Sequence, residues 1–132
     1  MIIQPGTKLL GDLVAEFCSQ KGLGKPAKVN LYSREEYIVE TGDDKTAARY
    51  SATKDQIALS PDIVSNISSI LHELEHHYQT VCEGSEEFDR KYDEYTVTYG
   101  YINNPYEVEA REFEMKWRPE FERLLKKKLE EK

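Results

Sequence analysis

No run of apolar residues approaches the roughly 18 needed for a transmembrane helix, so no membrane stands among the expected partners. Cysteine is scarce. Cys18 and Cys82 lie far apart without CxxC spacing, which excludes a disulfide framework and a cysteine-rich zinc module. Each falls within an apolar helical pattern, so both are expected to be reduced packing residues. The opening residues, Met1 to Gly6, show no basic stretch followed by an apolar one, and a cytoplasmic location is expected. Positive charge is in deficit: 18 Lys and Arg against 25 Asp and Glu leave a net charge of −7, which repels phosphate backbones. Nucleic acid is therefore not an expected partner. With no internal repeat or low-complexity tract, residues 1–132 are expected to form a single domain, and 39% hydrophobic residues suffice for a core.

What is present reads as helices around a few short strands. Leu9, Leu10, Leu13, Val14 and Phe17 recur at helical spacing between Thr7, a candidate N-cap, and Gly22, a stop. Lys28 to Ser33 alternates as a strand does, and a second strand is predicted around Tyr37-Ile38-Val39 before the turn at Gly42. Ala47 to Ala52 and Gln56 to Leu59 read as a hairpin closed by Thr53-Lys54-Asp55. Ser60-Pro61-Asp62 then starts a helix whose stripe runs through Ile63, Ile67, Ile70, Leu71, Leu74, Tyr78 and Val81 to a stop at Gly84. Glu86 to Asn104 is polar but rich in aromatics, and is predicted to be an ordered loop with at most a short helix. A last helix begins at Asn103-Asn104-Pro105 with Ala110, Phe113, Trp117, Phe121 and Leu124 on one face, and Pro119 should kink or split it. The expected class is α+β, a small, mostly antiparallel sheet packed against helices.

Within the second long helix stands His72-Glu73-Leu74-Glu75-His76, an HExxH sequence. Side chains four apart on a helix share a face, about 5–6 Å apart at Cβ, so two imidazoles can hold one metal ion. Glu73 then lies beside the ion, where it can take a proton from metal-bound water. At about 100° per residue, the two histidines fall roughly 140° and 180° from Ile67, away from the helix's own apolar stripe. His77 points elsewhere and reads as a surface histidine near the helix boundary. One Zn²⁺ is the expected cofactor, because imidazole with carboxylate help suits it.

A hydrolytic zinc site takes three protein ligands. Cys82 lies on the same helix and cannot fold back, and no histidine follows His77, so the third ligand must be a carboxylate. Glu107 and Glu109 both border the apolar face of the last helix, and periodicity does not choose between them. Tyr92, Tyr95, Tyr99, Tyr101 and His77 have the chemistry to steady a developing oxyanion, and nothing in the sequence separates them.

HExxH followed 31 residues after His76 by Glu107-x-x-Ala110-x-x-Phe113 resembles the ImmA/IrrE-type metallopeptidases and their small phage and prophage relatives, within the gluzincin group. The resemblance extends over the order of elements along most of the chain. It implies metal ligands His72, His76 and Glu107, with Glu109 in reserve, and Glu73 as the catalytic base. Glu75, Arg111 and Glu114 stand where the family more often has smaller or neutral residues, which adds negative charge near the site and favours cations. The function so implied is zinc-dependent hydrolysis of a protein or peptide substrate, for instance a regulatory protein, with Gln56 to Leu59 offering an edge for an extended peptide. Two alternatives remain: a metal-binding protein of the same fold that acts through protein–protein contact with little turnover, and a helical interaction module without metal. Glu73, which a purely structural zinc site has no use for, favours the enzyme.

Overall fold

The computed structural model describes residues 7–130 apart from 23, 25, 27 and 62–66. Helix α1 (Thr7–Gln20) buries Leu10, Leu13, Val14, Phe17 and Cys18, as its spacing predicts. Thr7 is its first helical residue, and its hydroxyl accepts from the Leu31 amide at 2.8 Å. That bond pins α1 to strand β1 (Lys28–Leu31).

The predicted strand at Tyr37-Ile38-Val39 is instead part of helix α2 (Arg34–Thr41). Ser33 caps it by accepting from the Glu36 amide at 3.2 Å, Glu35 and Glu36 sit at the positive end of the dipole, and Gly42 closes it with φ 70°. These local signals outweigh the strand preference of Tyr-Ile-Val. A strand would turn residues 37 and 39 to one side, whereas Tyr37 is fully buried and Val39 is 76% exposed.

The predicted hairpin forms as β2 (Ala48–Ser51) and β3 (Gln56–Leu59), antiparallel, with Tyr50 opposite Ile57. Asp55 turns the chain at φ 48°. The sheet order is β1-β3-β2, and β1 pairs with β3 in parallel. The class is α+β as expected, but the sheet is mixed and not mostly antiparallel. After β1 the chain passes through α2 to the far edge and returns as β2, and the hairpin then reverses it so that β3 enters between the two, parallel to β1. Buried throughout, β3 is the centre of the sheet, and β2 takes the edge that the sequence assigned to Gln56 to Leu59.

Helix α3 (Ile67–Glu83) carries the HExxH sequence. Its predicted start reaches into residues 62–66, outside the described residues. Ile70, Leu71 and Leu74 pack with Phe17, Ile57, Leu59 and Phe121 in the main core, which takes no residue of α3 beyond Tyr78 among those described. Val81 and Cys82 are accordingly exposed, so Cys82 is a free surface thiol and only Cys18 packs.

The aromatic segment is helix α4 (Ser85–Tyr99), bounded by Gly84 and Gly100, where a loop was expected. Phe88, Tyr92, Tyr95 and Tyr99 have helical spacing, and Phe88 and Tyr95 meet Tyr106 with ring centroids 4.7 and 5.5 Å apart. Helix α5 (Pro105–Glu130) starts where predicted, with the Tyr106 amide donating to Asn104 Oδ1 at 2.9 Å. It runs unbroken through Pro119. Pro119 and Met115 are both exposed, so the carbonyl that loses its helical partner faces water and no split follows. Ala110, Phe121 and Leu124 are buried, and Phe113, Trp117 and Phe121 meet the Phe17 ring edge-on. In this way α5 is laid along α3.

Candidate metal centre

His72 and His76 project from one face of α3 with ring centroids 4.9 Å apart. Each ring is held by its Nδ1. His72 Nδ1 lies 2.9 Å from Glu114 Oε2, a carboxylate that only accepts. His76 Nδ1 lies 2.9 Å from Gln79 Oε1. The amide of Gln79 is oriented by its other partners, since Nε2 donates to the Tyr106 carbonyl at 3.0 Å and to Glu109 Oε1 at 3.2 Å. Both Nδ1 atoms therefore carry a proton, and in each ring, once neutral, the lone pair is on Nε2.

Both Nε2 atoms face Glu107. Its Oε1 lies 2.7 Å from His72 Nε2 and its Oε2 3.3 Å from His76 Nε2. The carboxylate is buried, and the Tyr92 hydroxyl donates to Oε2 at 2.5 Å. Burial opposes its charge, but the hydrogen bonds to His72 and His76 outweigh that and hold the carboxyl well below the usual carboxylate range. Burial likewise works against charge on the histidines. The Glu107 hydrogen bond and the charges of Glu73 and Glu107 overcome it, raising His72 and pushing His76 up to about 9. The centre is built to hold positive charge.

Glu73 completes a potential metal-binding triad with His72 and His76, their ligand atoms all within 4.8 Å of one another. Its Oε1 accepts from the Tyr50 amide of β2 at 2.8 Å. Burial pushes its pKa up, against the lowering effect of the two histidines. Two carboxylates thus flank the imidazoles: Glu107 is aimed at both Nε2 atoms, while Glu73 is tied on one oxygen to the strand. Glu109 is exposed and touches the centre only through Gln79. Glu75 sits near Glu109, where burial and that neighbour's charge push it up to about 7.

His77 is not a surface residue. It is buried against the hairpin, with Nδ1 3.2 Å from the Tyr50 hydroxyl and 3.3 Å from Asp55 Oδ1, because one further step round α3 turns it from the site toward β2. Burial keeps its pKa down. Of the tyrosines, Tyr95 packs on Tyr106 and Tyr99 is exposed, whereas Tyr92 and Tyr101 come to the centre. Desolvation of its hydroxyl, then the charges of Glu107 and Glu73 and a hydrogen bond to Glu107, push Tyr101 up to about 12.

Two cavities meet here. One, of about 480 Å³, opens between β2 and α4 over Glu73, His76 and Glu107. The other, of about 360 Å³, lies on the side of His72, Arg111 and Glu114. They share Thr46, Ala48, Glu73 and Tyr101, so a groove runs past the edge of β2 and across the histidines. The Ser60 amide donates to the Ala47 carbonyl, so by antiparallel alternation Arg49 points its backbone into the sheet while Ala48 and Tyr50 point theirs into the groove.

Gln79 escaped the sequence reading, and Glu114 entered it only as added negative charge near the site, not as the partner of His72. Their signal was faint, Glu114 standing two turns beyond Glu107 on one face and Gln79 one turn beyond His76. Compared with family models, with curated proteins and with solved structures, the chain has no match in any of the three.

Proposed function

We propose that the chain is a zinc-dependent peptidase of the HExxH-plus-glutamate type, acting on an extended segment of a protein substrate. One observation carries this reading: three atoms able to ligate a metal, His72 Nε2, His76 Nε2 and a Glu107 oxygen, converge with separations of 2.7 and 3.3 Å from the carboxylate. Positive charge, from protons on the imidazoles or from a metal ion, holds such a cluster together, and two imidazoles with one carboxylate form the donor set of a catalytic zinc site. The resemblance to ImmA/IrrE-type peptidases points the same way, and we place the activity in the cytoplasm, as regulatory proteolysis. Zn²⁺ held there would act as a Lewis acid on the scissile carbonyl and acidify a water.

The protein's own groups do the rest. The exposed backbone of Ala48 at the β2 edge offers pairing to an extended peptide, a place the sequence reading gave to β3. Glu73, buried and held by the Tyr50 amide, accepts a proton from water as the water oxygen bonds to the carbonyl carbon. The same carboxyl delivers that proton to the amide nitrogen as the C–N bond breaks. Its raised pKa makes it a better base than a solvated glutamate.

The test uses untagged protein and a peptide pool read by mass spectrometry. Wild type should hold one equivalent of zinc. Glu107→Gln should lose most of it and Glu109→Gln little; the reverse order would move the third ligand. Glu73→Gln should keep zinc and lose cleavage, and equal cleavage by wild type and Glu73→Gln would refute the peptidase reading.

A further inference from the structure

The groove has two walls. On one side stand Thr46 and Ala48, and Glu73 forms the floor between the cavities; the remaining residue common to both cavities is Tyr101, from the turn between α4 and α5. A carbonyl lying along β2 within reach of Glu73 therefore has Tyr101 across from it.

Tyr101 is placed firmly without being buried. Gly100 leaves α4 at φ 82° with its amide bonded to the Thr96 carbonyl at 2.9 Å, a backbone angle that suits glycine. Asn104, fully buried, then clamps the turn: Nδ2 donates to the Tyr92 carbonyl at 3.1 Å and to Thr96 Oγ1 at 3.0 Å, and its amide donates to the Tyr101 carbonyl at 3.3 Å. Arg111 bonds the Ile102 carbonyl. The side chain of Tyr101 nevertheless leaves the residue 56% exposed to the groove, with its hydroxyl hydrogen-bonded to Glu107 at the floor of the site.

Four other groups nearby keep partners of their own. Tyr92 gives its hydroxyl to Glu107. His77 is bound up with Tyr50 and Asp55. Thr46 Oγ1 pairs with the Tyr37 hydroxyl at 2.8 Å, and Arg49 with Asp43 at 2.7 Å.

From this placement, and resting on the peptidase reading above, we propose that Tyr101 is a catalytic residue that donates a hydrogen bond from its hydroxyl to the carbonyl oxygen of the substrate as negative charge develops there. A phenol keeps its proton at neutral pH and so is a donor at the working pH. The bond strengthens as the oxygen becomes an oxyanion, which is where such a donor accelerates reaction.

The experiment compares Tyr101→Phe and Tyr92→Phe with wild type in three measurements: zinc affinity by chelator competition, cleavage of the peptide pool, and binding of a phosphinic tripeptide pool, whose tetrahedral phosphorus mimics the charged intermediate. Tyr101→Phe should hold zinc like wild type while kcat falls about 100-fold or more, KM changes little, and phosphinic binding weakens by a comparable factor. Tyr92→Phe should chiefly weaken zinc, through Glu107. Phosphinic binding and kcat unchanged in Tyr101→Phe would overturn the proposal while leaving the peptidase standing. A fall in zinc affinity equal to that of Tyr92→Phe would also overturn it, reducing Tyr101 to a support of Glu107. Wild type that holds zinc but neither cleaves peptide nor binds phosphinic peptide would overturn the peptidase reading, and Tyr101 with it.

Discussion

Glu114 offers the sharpest test of how the metal centre is held. It is the acceptor that keeps a His72 proton on Nδ1, at 2.9 Å, and so leaves Nε2, the nitrogen that faces Glu107, to bind an ion once it is deprotonated. Removing it leaves an imidazole free to choose the other tautomer and to rotate. Groups in this position are worth about 10- to 100-fold in metal affinity, or roughly 1.4 to 2.8 kcal/mol at 1.4 kcal/mol per decade. The side chain of Glu114 is 23% exposed, so solvent screens part of its charge. Glu114→Gln retains an acceptor oxygen and loses only the charge, which places it at about 10-fold. Glu114→Leu loses the acceptor as well and belongs near 100-fold. Zinc affinity is read by competition with a chromophoric chelator at pH 7.5, with circular dichroism to check the helices. Gln79→Leu, acting on the other histidine, should give a loss of similar size. Affinity unchanged in a folded Glu114→Leu would refute the tautomer argument, since nothing would then depend on which nitrogen of His72 carries the proton.

The parts of this arrangement that local chemistry specifies were legible. HExxH with its flanking stripe, the hairpin around Thr53-Lys54-Asp55 and the Asn104-Pro105 helix start are all signals contained within a few residues. Helix α4 escaped because Phe88, Tyr92, Tyr95 and Tyr99 stand among Glu, Asp, Arg and Lys, so a real helical stripe was diluted into an apparently polar segment. Helix α2 escaped for the opposite reason: Tyr37, Ile38 and Val39 favour strands, and the Ser33 cap, one hydroxyl long, decided against them. The parallel pairing of β1 with β3, the choice of Glu107 over Glu109, and the arrival of Tyr101 and Glu114 at the centre all depend on how distant elements dock. Of the two glutamates, the one facing the histidines is selected by the rotation of α5 about its own axis, which Ala110 and Phe121 set by burying against the core.

Asn104→Ala should destabilise the protein by about 1–3 kcal/mol, since it deletes a cap of α5 and the two hydrogen bonds that Nδ2 gives to the Tyr92 carbonyl and Thr96 Oγ1. A melting temperature that stays within a degree of wild type would contradict this. Zinc uptake should release protons, and its affinity should rise with pH. Without a metal, the charge that Glu107 and Glu73 demand is supplied by protons, which is why His76 lies at about 9 and Glu107 lies low. A zinc ion must displace the proton on His76 Nε2, so below about pH 9 each unit of acidity costs up to tenfold in affinity per proton displaced. The dependence should flatten above that pH. Chelator competition at pH 6.5, 7.5 and 8.5 measures the slope, and an affinity constant across that range would mean that no protonated imidazole stands in the way of the ion.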